Sequence, residues 1–411
     1  MFSLLRRNRD IRFVFGAQVV SFLGDWFTFV AMAGLVEDAT NSRFLVSLVL
    51  VSMTIPGLFM SPIAGSFADR FDRKRILTIV SLLQALSASL MLFHSFVGIW
   101  ILFLAQCSIA GLAAFVSPAT GAAIPNLTDN EEDLRKANAL FGSTWGIMLA
   151  VGAALGGVFA SAFGRNAAFI ADIVSFLLAA ALFASVTRPM QNHAAQPENS
   201  RRARPLADMK EAIHIARQDS VILALLCSKM TFAVGAGIVS QLAVLASNVF
   251  NMGDSGRGLL IGVRGIGSGL GPIIGARIAG RDMGKLLRVC GVAGLLFSVC
   301  YFCAALSPTL GVAAFFVALA HLSGGAQWTL STLGLQIQSP DHVRGRVLAG
   351  DMALVNLMIG VTSILAGITS EVFGVRTAII VFATAAACAS TTYLLATAKI
   401  RQSLRTQLPR E

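Results

Sequence analysis

The sequence has 411 residues, of which 55% are hydrophobic and 13% are charged, and its formal net charge is +11. Because a soluble domain carries about 25% charged residues, this composition excludes a soluble protein of the same length with an ordinary polar surface. The positive charge is concentrated in alternate loops and in both tails. That distribution indicates membrane topology and contact with anionic lipid rather than a nucleic-acid site.

Apolar runs of about 20 residues, the length that a helix needs to cross the hydrocarbon core, recur along the whole chain. The first run is long and has no small-residue cleavage site, which is typical of a spanning helix rather than of a cleaved signal peptide. We predict twelve spans, which cover residues 12–36, 44–68, 76–95, 98–121, 140–163, 167–187, 221–247, 257–279, 288–306, 310–335, 347–371 and 376–397.

Basic residues are distributed unequally between the two sets of predicted loops. Of the 32 Lys and Arg, 26 lie in alternate loops and the two tails, and four lie in the opposite loops, namely Arg43, Arg165, Arg257 and Arg376. The positive-inside rule therefore places both termini in the cytoplasm. The predicted location is the bacterial cytoplasmic (inner) membrane.

A polar segment with three prolines, residues 188–220, separates six predicted spans from the other six. Its second part, residues 206–216, has apolar residues at helical spacing and is either a short amphipathic helix at the membrane surface or a solvated linker helix. The predicted organisation is an N-terminal six-helix bundle (1–187), this cytoplasmic linker (188–220) and a C-terminal six-helix bundle (221–411).

The two halves of the sequence repeat one another at an offset of 210 residues, at which SPIAGS (61–66) aligns with GPIIGA (271–276). A second cluster of matches at the same offset pairs Gly157, Phe163, Gly164, Ala168 and Ile170 with Gly367, Phe373, Gly374, Ala378 and Ile380. An even number of spans per half predicts parallel repeats related by an axis along the membrane normal. That is a transporter plan, with the substrate site between the halves.

A short charged loop carries the clearest motif. The stretch GSFADRFDRKRIL (65–77) resembles the signature of the loop between spans two and three in the major facilitator superfamily, although Asp72 stands where glycine is usual. The matching residues include Gly65, Asp69, Arg70, Arg73 and Lys74. The stretches GDWFTFVA, PNLTDNEEDLRKANAL and SPDHVRGRVLAG look like the exporter branch of that family, which includes macrolide-efflux and enterobactin-export proteins.

The resemblance implies an all-α membrane protein, with twelve transmembrane helices in two six-helix bundles related by a pseudo-two-fold axis. It also implies a cavity ringed by helices 1, 4, 7 and 10. The charged loop would be a conformational latch, in which Asp69 meets the positive N-terminus of helix 11 and Arg73 pairs with nearby acids; a role in topology alone is the alternative. GAALGG (152–157) is similar to the antiporter signature of helix five, with Ala153 in place of proline and with the glycines Gly152, Gly156 and Gly157.

A charge near mid-bilayer costs about 2.5–3.5 kcal/mol on insertion scales, so each charge inside a span is a functional hypothesis. Asp25 lies near the middle of the first span, in a polar stripe formed by Gln18, Ser21, Asp25 and Thr28. Because helix 1 faces the cavity in the family, we interpret Asp25 as the proton-coupling carboxylate. A buried Asp that is paired only for structure is the alternative.

Three further charges inside predicted spans are candidates for a role. Lys229 is a cavity candidate that either reaches toward Asp25 or extends its ammonium to the cytoplasmic interface. Arg264, which is aligned with small residues that predict close helix packing, is a gate charge, a substrate-anion contact or a structural ion pair. Asp172 lies outside the expected cavity ring and is interpreted as a structural hydrogen-bonding group.

The tenth span carries a further polar face. His321, Gly325, Trp328 and Thr332 lie at helical spacing, and an aromatic ring beside a titratable group suits an amphipathic organic substrate. A histidine that is merely hydrogen-bonded is the alternative reading of His321. Trp26 is a second aromatic candidate for the cavity.

The sequence contains no P-loop, no zinc-binding HExxH helix and no GxSxG nucleophile motif, so we expect neither an enzyme nor a metal or cofactor. We predict a monomeric secondary exporter of an amphipathic organic compound, either a siderophore or a hydrophobic drug such as a macrolide. Its partners are a small-molecule substrate, a proton gradient and membrane lipid, and it works by proton antiport with alternating access. A proton-coupled importer, a lipid flippase and a non-transporting membrane sensor are the alternatives.

Overall fold

The computed structural model describes residues 2–191, 218–280, 282–339 and 341–406. These residues form helices joined by short loops, and no strand occurs among them. Twelve of the described helices are long and apolar enough to cross a membrane, so the predicted number of spans is confirmed. Most of the predicted linker, including residues 206–216, lies outside the described residues.

The twelve membrane helices are numbered α1 to α12 in chain order. They are Arg9–Thr40, Arg43–Arg70, Arg73–Leu90, Trp100–Leu127, Glu131–Phe163, Arg165–Ala184, Ser220–Ala236, Asp254–Ala279, Met283–Leu306, Leu310–Gln338, Asp341–Phe373 and Val375–Ala396. Short helices, which keep their residue ranges as names, precede α1 (Phe2–Arg7) and follow α12 (Ala398–Thr406). α3 is extended by a 3₁₀ turn at Met91–Phe93 and by the helix His94–Val97.

Capping side chains fix the starts of α3 and α9. Asp72 accepts a hydrogen bond from the amide of Arg75 (2.8 Å), and Asp282 accepts one from the amide of Lys285 (3.0 Å). An aspartate at this position satisfies an amide that the helix leaves unpaired. Asp72 therefore replaces the glycine usual in the family loop with a helix cap, and the same cap recurs 210 residues later.

Two glycine corners repeat in the same way. Gly164 precedes α6 with φ 85° and ψ 159°, and Gly374 precedes α12 with φ 89° and ψ 157°. A side chain is strained at such positive φ values, whereas glycine adopts them readily. The matched conformations support the internal repeat that the sequence alignment predicts.

Contacts divide the chain into two compact units. Unit 1 comprises Met1–Asn41, Val51–Arg204 and Gly253–Gly258, and unit 2 comprises Ser42–Leu50, Pro205–Met252 and Leu259–Glu411. Within unit 1, α1 packs on α5 and α6, and α3 packs on α4 and α6. Within unit 2, α7 packs on α11 and α12, and α9 packs on α10 and α12. The repeat therefore extends from sequence to helix packing.

Two short segments group with a unit other than the one their half of the sequence suggests. Ser42–Leu50, at the start of α2, belongs to unit 2, where Gln241 donates a hydrogen bond to the Ser47 hydroxyl (2.6 Å). Gly253–Gly258, at the start of α8, belongs to unit 1, where Arg257 forms an ion pair with Glu37. A single division at the linker does not account for these segments.

The seventh span is interrupted, although its apolar run predicts one continuous helix. α7 ends at Ala236 and continues as a 3₁₀ segment, Gly237–Gln241, and a short helix, Leu242–Asn248. Thr362 of α11 donates a hydrogen bond to the carbonyl of Ala233 (3.1 Å), the acceptor that an α-helix would offer to the amide of Gly237. A Cβ atom at Gly237 would lie 2.2 Å from the Thr362 carbonyl oxygen, so only glycine permits this approach.

Candidate functional site

Unit 1 contains a pair of acidic residues inside its membrane helices. Asp172 of α6 is fully buried and accepts hydrogen bonds from the hydroxyls of Thr28 (2.7 Å) and Ser175 (3.1 Å). Asp25 of α1 is partly exposed and lies close enough to Asp172 to interact with it electrostatically. The helices touch at Gly24, where a Cβ atom would lie 2.3 Å from Asp172 Oδ1. The structure thus brings together two acids to which the sequence analysis assigned separate roles.

The polar stripe on α1 is divided between two neighbouring helices. The Gln18 amide donates a hydrogen bond to the carbonyl of Phe141 on α5 (3.3 Å), whereas Thr28 contacts Asp172 on α6. Ser21 and Asp25 lie between Gln18 and Thr28 on the helix. Each is partly exposed, and neither forms a side-chain hydrogen bond with a residue that the structure describes. These two residues are therefore the part of the stripe that is open to water or substrate.

Trp26, which the sequence predicts as a cavity residue, is enclosed between helices in this structure, so its role in a cavity stays a prediction. Its side chain is buried, with 4% exposure, packs edge-on against Phe29 and lies next to Gly152 of helix five. A Cβ atom at Gly152 would lie 3.1 Å from Trp26, and one at Gly156 would lie 3.0 Å from the backbone of Phe27. Small residues that allow helices to approach closely are the usual means of packing in membranes.

The third glycine of helix five has a different neighbour. A Cβ atom at Gly157 would lie 2.5 Å from the carbonyl oxygen of Asp254 and 2.9 Å from the backbone of Gly258. Gly156 and Gly157 thus permit close approach to neighbouring backbone within unit 1, whereas Gly152 makes room for the side chain of Trp26. Ala153, which replaces the proline of the family signature, leaves α5 helical from Glu131 to Phe163.

Unit 2 contains a buried ion pair between α7 and α11. The Lys229 ammonium forms a salt bridge with Asp351, and the side chains are 0% and 1% exposed. Lys229 also donates a hydrogen bond to the hydroxyl of Thr332 (2.8 Å) and lies 5.0 Å from the ring centroid of Trp328. Because it is fully enclosed, Lys229 does not extend its ammonium to the interface, and its ionic partner is Asp351 rather than Asp25.

A second polar cluster of unit 2 surrounds His321 on α10. Its Nε2 atom is hydrogen-bonded to the Tyr301 hydroxyl (2.7 Å), and its Nδ1 atom lies 3.5 Å from the Ser268 hydroxyl. Arg264, one turn before Ser268 on α8, interacts electrostatically with both Tyr301 and His321. His321 is thus a buried, hydrogen-bonded residue with a cationic neighbour. The polar face of α10 contributes to two clusters, His321 to this one and Trp328 and Thr332 to the one around Lys229.

A row of aromatic rings connects these two clusters. Tyr301 packs against Phe297 with ring centroids 4.8 Å apart, Phe297 against Phe232 at 4.9 Å, and Phe232 against Trp328 at 5.9 Å. Trp328 in turn lies beside the Lys229 ammonium. Phe297 and Tyr301 are fully buried and Phe232 is 9% exposed, so these rings belong to the core of unit 2. Trp328, beside Lys229, is the partly exposed ring of the row, and an aromatic ring next to a charged group suits an amphipathic organic compound.

The close packing predicted for α8 is confirmed. Cβ atoms at Gly267 and Gly271 would lie 2.2 Å and 2.0 Å from the carbonyl oxygens of Ala318 and Leu322 on α10. These contacts fix the rotation of α8, and with it the face that carries Arg264.

The charged loop between α2 and α3 is described only in part. Three of its latch positions, Gly65, Asp69 and Arg70, lie outside the described side chains, so the latch stays a prediction. Arg73 donates hydrogen bonds to the carbonyls of Ala122 (2.8 Å) and Met190 (3.1 Å), and Lys74 donates one to the carbonyl of Val186 (2.8 Å). Basic side chains commonly satisfy carbonyls near helix ends in this way.

Unit 1 also holds an ion network that the sequence analysis missed. Arg165 pairs with Asp38 (2.7 Å) and Asp254 (2.9 Å), and Arg257, only 2% exposed, pairs with Glu37 and Asp254. Both arginines are among the four basic residues in the loops predicted to lie opposite the cytoplasmic side. The acids near them, Glu37, Asp38 and Asp254, were the available signal in the sequence. A surface pocket of about 380 Å³ beside the network is lined by Leu35, Asp38, Ala39, His94, Ser95, Ile99 and Arg165.

Asp351 is the second functional candidate that the sequence analysis missed. It lies inside the predicted span 347–371, so the rule applied to Asp25 and Lys229 would have selected it. Among the residues that the structure describes, no three His, Cys, Asp or Glu side chains are grouped so as to hold a metal ion. The six cysteines are free thiols.

Comparison with known proteins agrees with this arrangement. A profile of the Major Facilitator Superfamily matches residues 14–349. The putative bacilysin exporter BacE of Bacillus subtilis (strain 168) is 24% identical over 358 residues, which cover 86% of this chain and 86% of BacE. The staphyloferrin A transporter of Staphylococcus aureus (strain NCTC 8325 / PS 47) is 23% identical over 348 residues, 82% of this chain and 84% of that protein.

Among solved structures, a bacterial homologue of the human lysosomal transporter Spinster superposes with a TM-score of 0.73 at 16% sequence identity. The superposition covers 94% of this chain and 96% of that one. At this identity the likeness bears on the fold alone.

Proposed function

Because the chain belongs to the major facilitator superfamily, we propose that this multi-pass membrane transporter exports an amphipathic organic compound in exchange for protons. We place it in the bacterial cytoplasmic membrane with both termini inside, as the distribution of basic residues indicates. The name of the relative BacE, a putative exporter, supports the direction. A siderophore or a hydrophobic drug such as a macrolide is the proposed substrate, and the partly exposed ring of Trp328 beside the Lys229 ammonium supports an amphipathic compound.

The observation that carries the proposal is the pair formed by Asp25 and Asp172. Two neighbouring carboxyl groups that are shielded from water are more stable with one proton between them than as two anions. Asp172 is fixed by the hydroxyls of Thr28 and Ser175, whereas Asp25 keeps partial exposure. Asp25 is therefore the member that exchanges its proton with water or substrate, and Asp172 is its fixed partner.

Antiport follows if the protein changes between its outward-open and inward-open states with either a proton on this pair or substrate bound, but not with both. In the outward-open state the pair takes up a proton and substrate leaves; in the inward-open state the proton is released and substrate binds. Alternating access then moves the two in opposite directions. The latch residue Asp69 and the ion network around Arg257 would change the equilibrium between the two conformations. They would not take part in proton exchange itself.

The test is proton-driven transport by the purified protein in proteoliposomes with an imposed pH gradient, with radiolabelled erythromycin and a labelled catechol siderophore as probes. Asp25→Asn keeps the size of the side chain but cannot exchange a proton. We expect this variant to lose uphill transport while downhill exchange of the probe survives. Glu131→Gln is a control, since Glu131 is an exposed acid of unit 1, and it should transport as wild type does.

Uphill transport by Asp25→Asn at the wild-type rate would make Asp25 structural and place coupling elsewhere. Uptake in the opposite direction under the same gradient would favour the importer. Competition by phospholipid headgroups, together with transport of labelled lipid, would favour the flippase. Absence of movement of every probe under every gradient would favour a membrane sensor.

A further inference from the structure

Two basic residues of unit 2, Lys229 and Arg264, lie well inside their membrane helices and away from the helix ends. Lys229 is neutralised by Asp351. Arg264 has no ion pair and no hydrogen bond with any residue that the structure describes, and its Nε atom is buried without an acceptor. A guanidinium in such surroundings lacks the acceptors that buried charges normally have.

The position of Arg264 suits a site for a ligand rather than a surface charge. It lies ten residues from the start of α8 and fifteen from its end, about 15 Å and 22 Å along the helix axis, which is too far for an arginine to reach either interface. The contacts of Gly267 and Gly271 with α10 fix the helix in place. The residue nevertheless keeps partial exposure, so an anion has access to it.

The groups around Arg264 add hydrogen-bonding capacity and no negative charge. Tyr301 and His321 interact with it electrostatically, and the Ser268 hydroxyl lies one turn further along α8. Behind them the aromatic row begins at Phe297, whose ring lies 5.7 Å from that of His321. A carboxylate can accept two parallel hydrogen bonds from a guanidinium. Because Phe297 and Tyr301 are fully buried, these rings exclude water from one side of the guanidinium rather than contact a ligand.

We propose that Arg264 binds the carboxylate of the transported compound, so that the substrate is an organic anion with an apolar or aromatic body. This inference rests on the proposed transport function and narrows its substrate class to organic anions, which favours a siderophore with a carboxylate over a macrolide. The anion supplies the opposite charge that Arg264 lacks within unit 2. Neutral compounds of the same shape are then poor ligands, because they leave the guanidinium unpaired.

The experiment measures equilibrium binding to the full-length protein in nanodiscs of zwitterionic phosphatidylcholine, without any gradient. The probes are dansyl-phenylalanine, which carries a carboxylate, and its neutral methyl ester. We expect wild type to bind the acid about ten- to hundredfold more tightly than the ester, the range that corresponds to a charge-assisted hydrogen bond. In Arg264→Gln this preference should disappear while the affinity for the ester is unchanged, which also shows that the variant is folded.

Arg277→Gln is the matched control, because Arg277 is an exposed arginine at the end of the same helix, and it should keep the full preference. Arg264→Lys keeps the charge but loses the planar fork; we expect an intermediate preference, and this variant replaces Arg264→Gln if the latter cannot be recovered folded. Because no gradient is applied, the preference should persist even in a protein that does not couple transport to protons. The result of this binding experiment is therefore independent of whether the proposed proton-driven export is correct.

Equal binding of acid and ester by wild type, including no binding of either, would overturn the assignment. A preference that persists in Arg264→Gln would do the same and would make Arg264 a gate charge. A third result would also overturn it: if anionic phosphatidylglycerol in the nanodiscs removes the preference at a constant probe concentration, a lipid phosphate and not the solute occupies the guanidinium.

Discussion

The buried pair Lys229–Asp351 offers a quantitative test of the structure. Lys229→Met and Asp351→Leu remove the two charges singly, and the double variant removes both. Because the side chains are 0% and 1% exposed, water does not screen the interaction. Removal of one partner from a buried ion pair costs about 3–5 kcal/mol, whereas replacement of the whole pair by apolar side chains is often neutral.

The two single variants should differ, because the partners they leave behind differ. After Asp351→Leu, the ammonium keeps the Thr332 hydroxyl and the face of Trp328. After Lys229→Met, the carboxylate keeps no hydrogen bond among the described residues, and its Oδ1 atom has none even in the intact pair. We therefore expect about 3–5 kcal/mol for Lys229→Met and about 1–3 kcal/mol for Asp351→Leu, since cation–π and charged hydrogen bonds retain part of the stabilisation.

The double variant should lie within about 1 kcal/mol of wild type, which gives a coupling energy of at least about 3 kcal/mol. The assay is reversible unfolding of the purified protein in mixed micelles with increasing SDS, followed by tryptophan fluorescence. The exposed pair Lys136–Glu132 serves as control, and its coupling should be too small to measure. If the double variant is destabilised by the sum of the single effects, the two side chains do not form the enclosed pair.

Three further predictions follow from other parts of the molecule. Gly157→Ala should reduce stability and transport, because its Cβ atom would lie 2.5 Å from a backbone oxygen. The control is Gly146→Ala on the same helix, whose Cβ atom would meet nothing within 4 Å and which should leave stability unchanged or raise it by up to about 1 kcal/mol. Equal melting temperatures of the two variants would refute the packing. Asp69→Asn should insert normally but slow transport several-fold, and unchanged turnover at equal expression would reject the latch. A single cysteine at Ser42 should react with an impermeant maleimide in intact cells and one at Asn199 should not; labelling of Asn199 would reject the proposed orientation.

The number and placement of the spans could be predicted from sequence because hydrophobic length is a local property. The 210-residue repeat was likewise predictable, since glycine corners and aspartate caps are local requirements of the backbone. The break in α7 was not, because it depends on Thr362 of a distant helix taking the carbonyl of Ala233. Hydropathy does not report such contacts.

Pairings inside the membrane were the part that sequence could not supply. The stripe on α1 identified Asp25 but not its neighbour, because Asp172 follows 147 residues later and helical periodicity says nothing about partner helices. Lys229 was expected to reach either toward Asp25 or to the cytoplasmic interface, whereas its partner in the structure is Asp351, 122 residues away in sequence. A polar stripe likewise does not reveal that Gly152 leaves room for the indole ring of Trp26.

The repeated corners have an evolutionary consequence. The caps Asp72 and Asp282 and the corners Gly164 and Gly374 coincide at an offset of 210 residues, but the positions equivalent to Asp25 and Arg264 are Gly235 and Thr54. A duplicated scaffold thus keeps its turns while the residues inside its two copies diverge. With the roles proposed for Asp25 and Arg264, ion coupling and ligand recognition are encoded in different copies of the repeat. Substitutions in the second copy would then change the transported compound without altering the energy source, a division that would allow a transporter lineage to acquire new substrates one residue at a time.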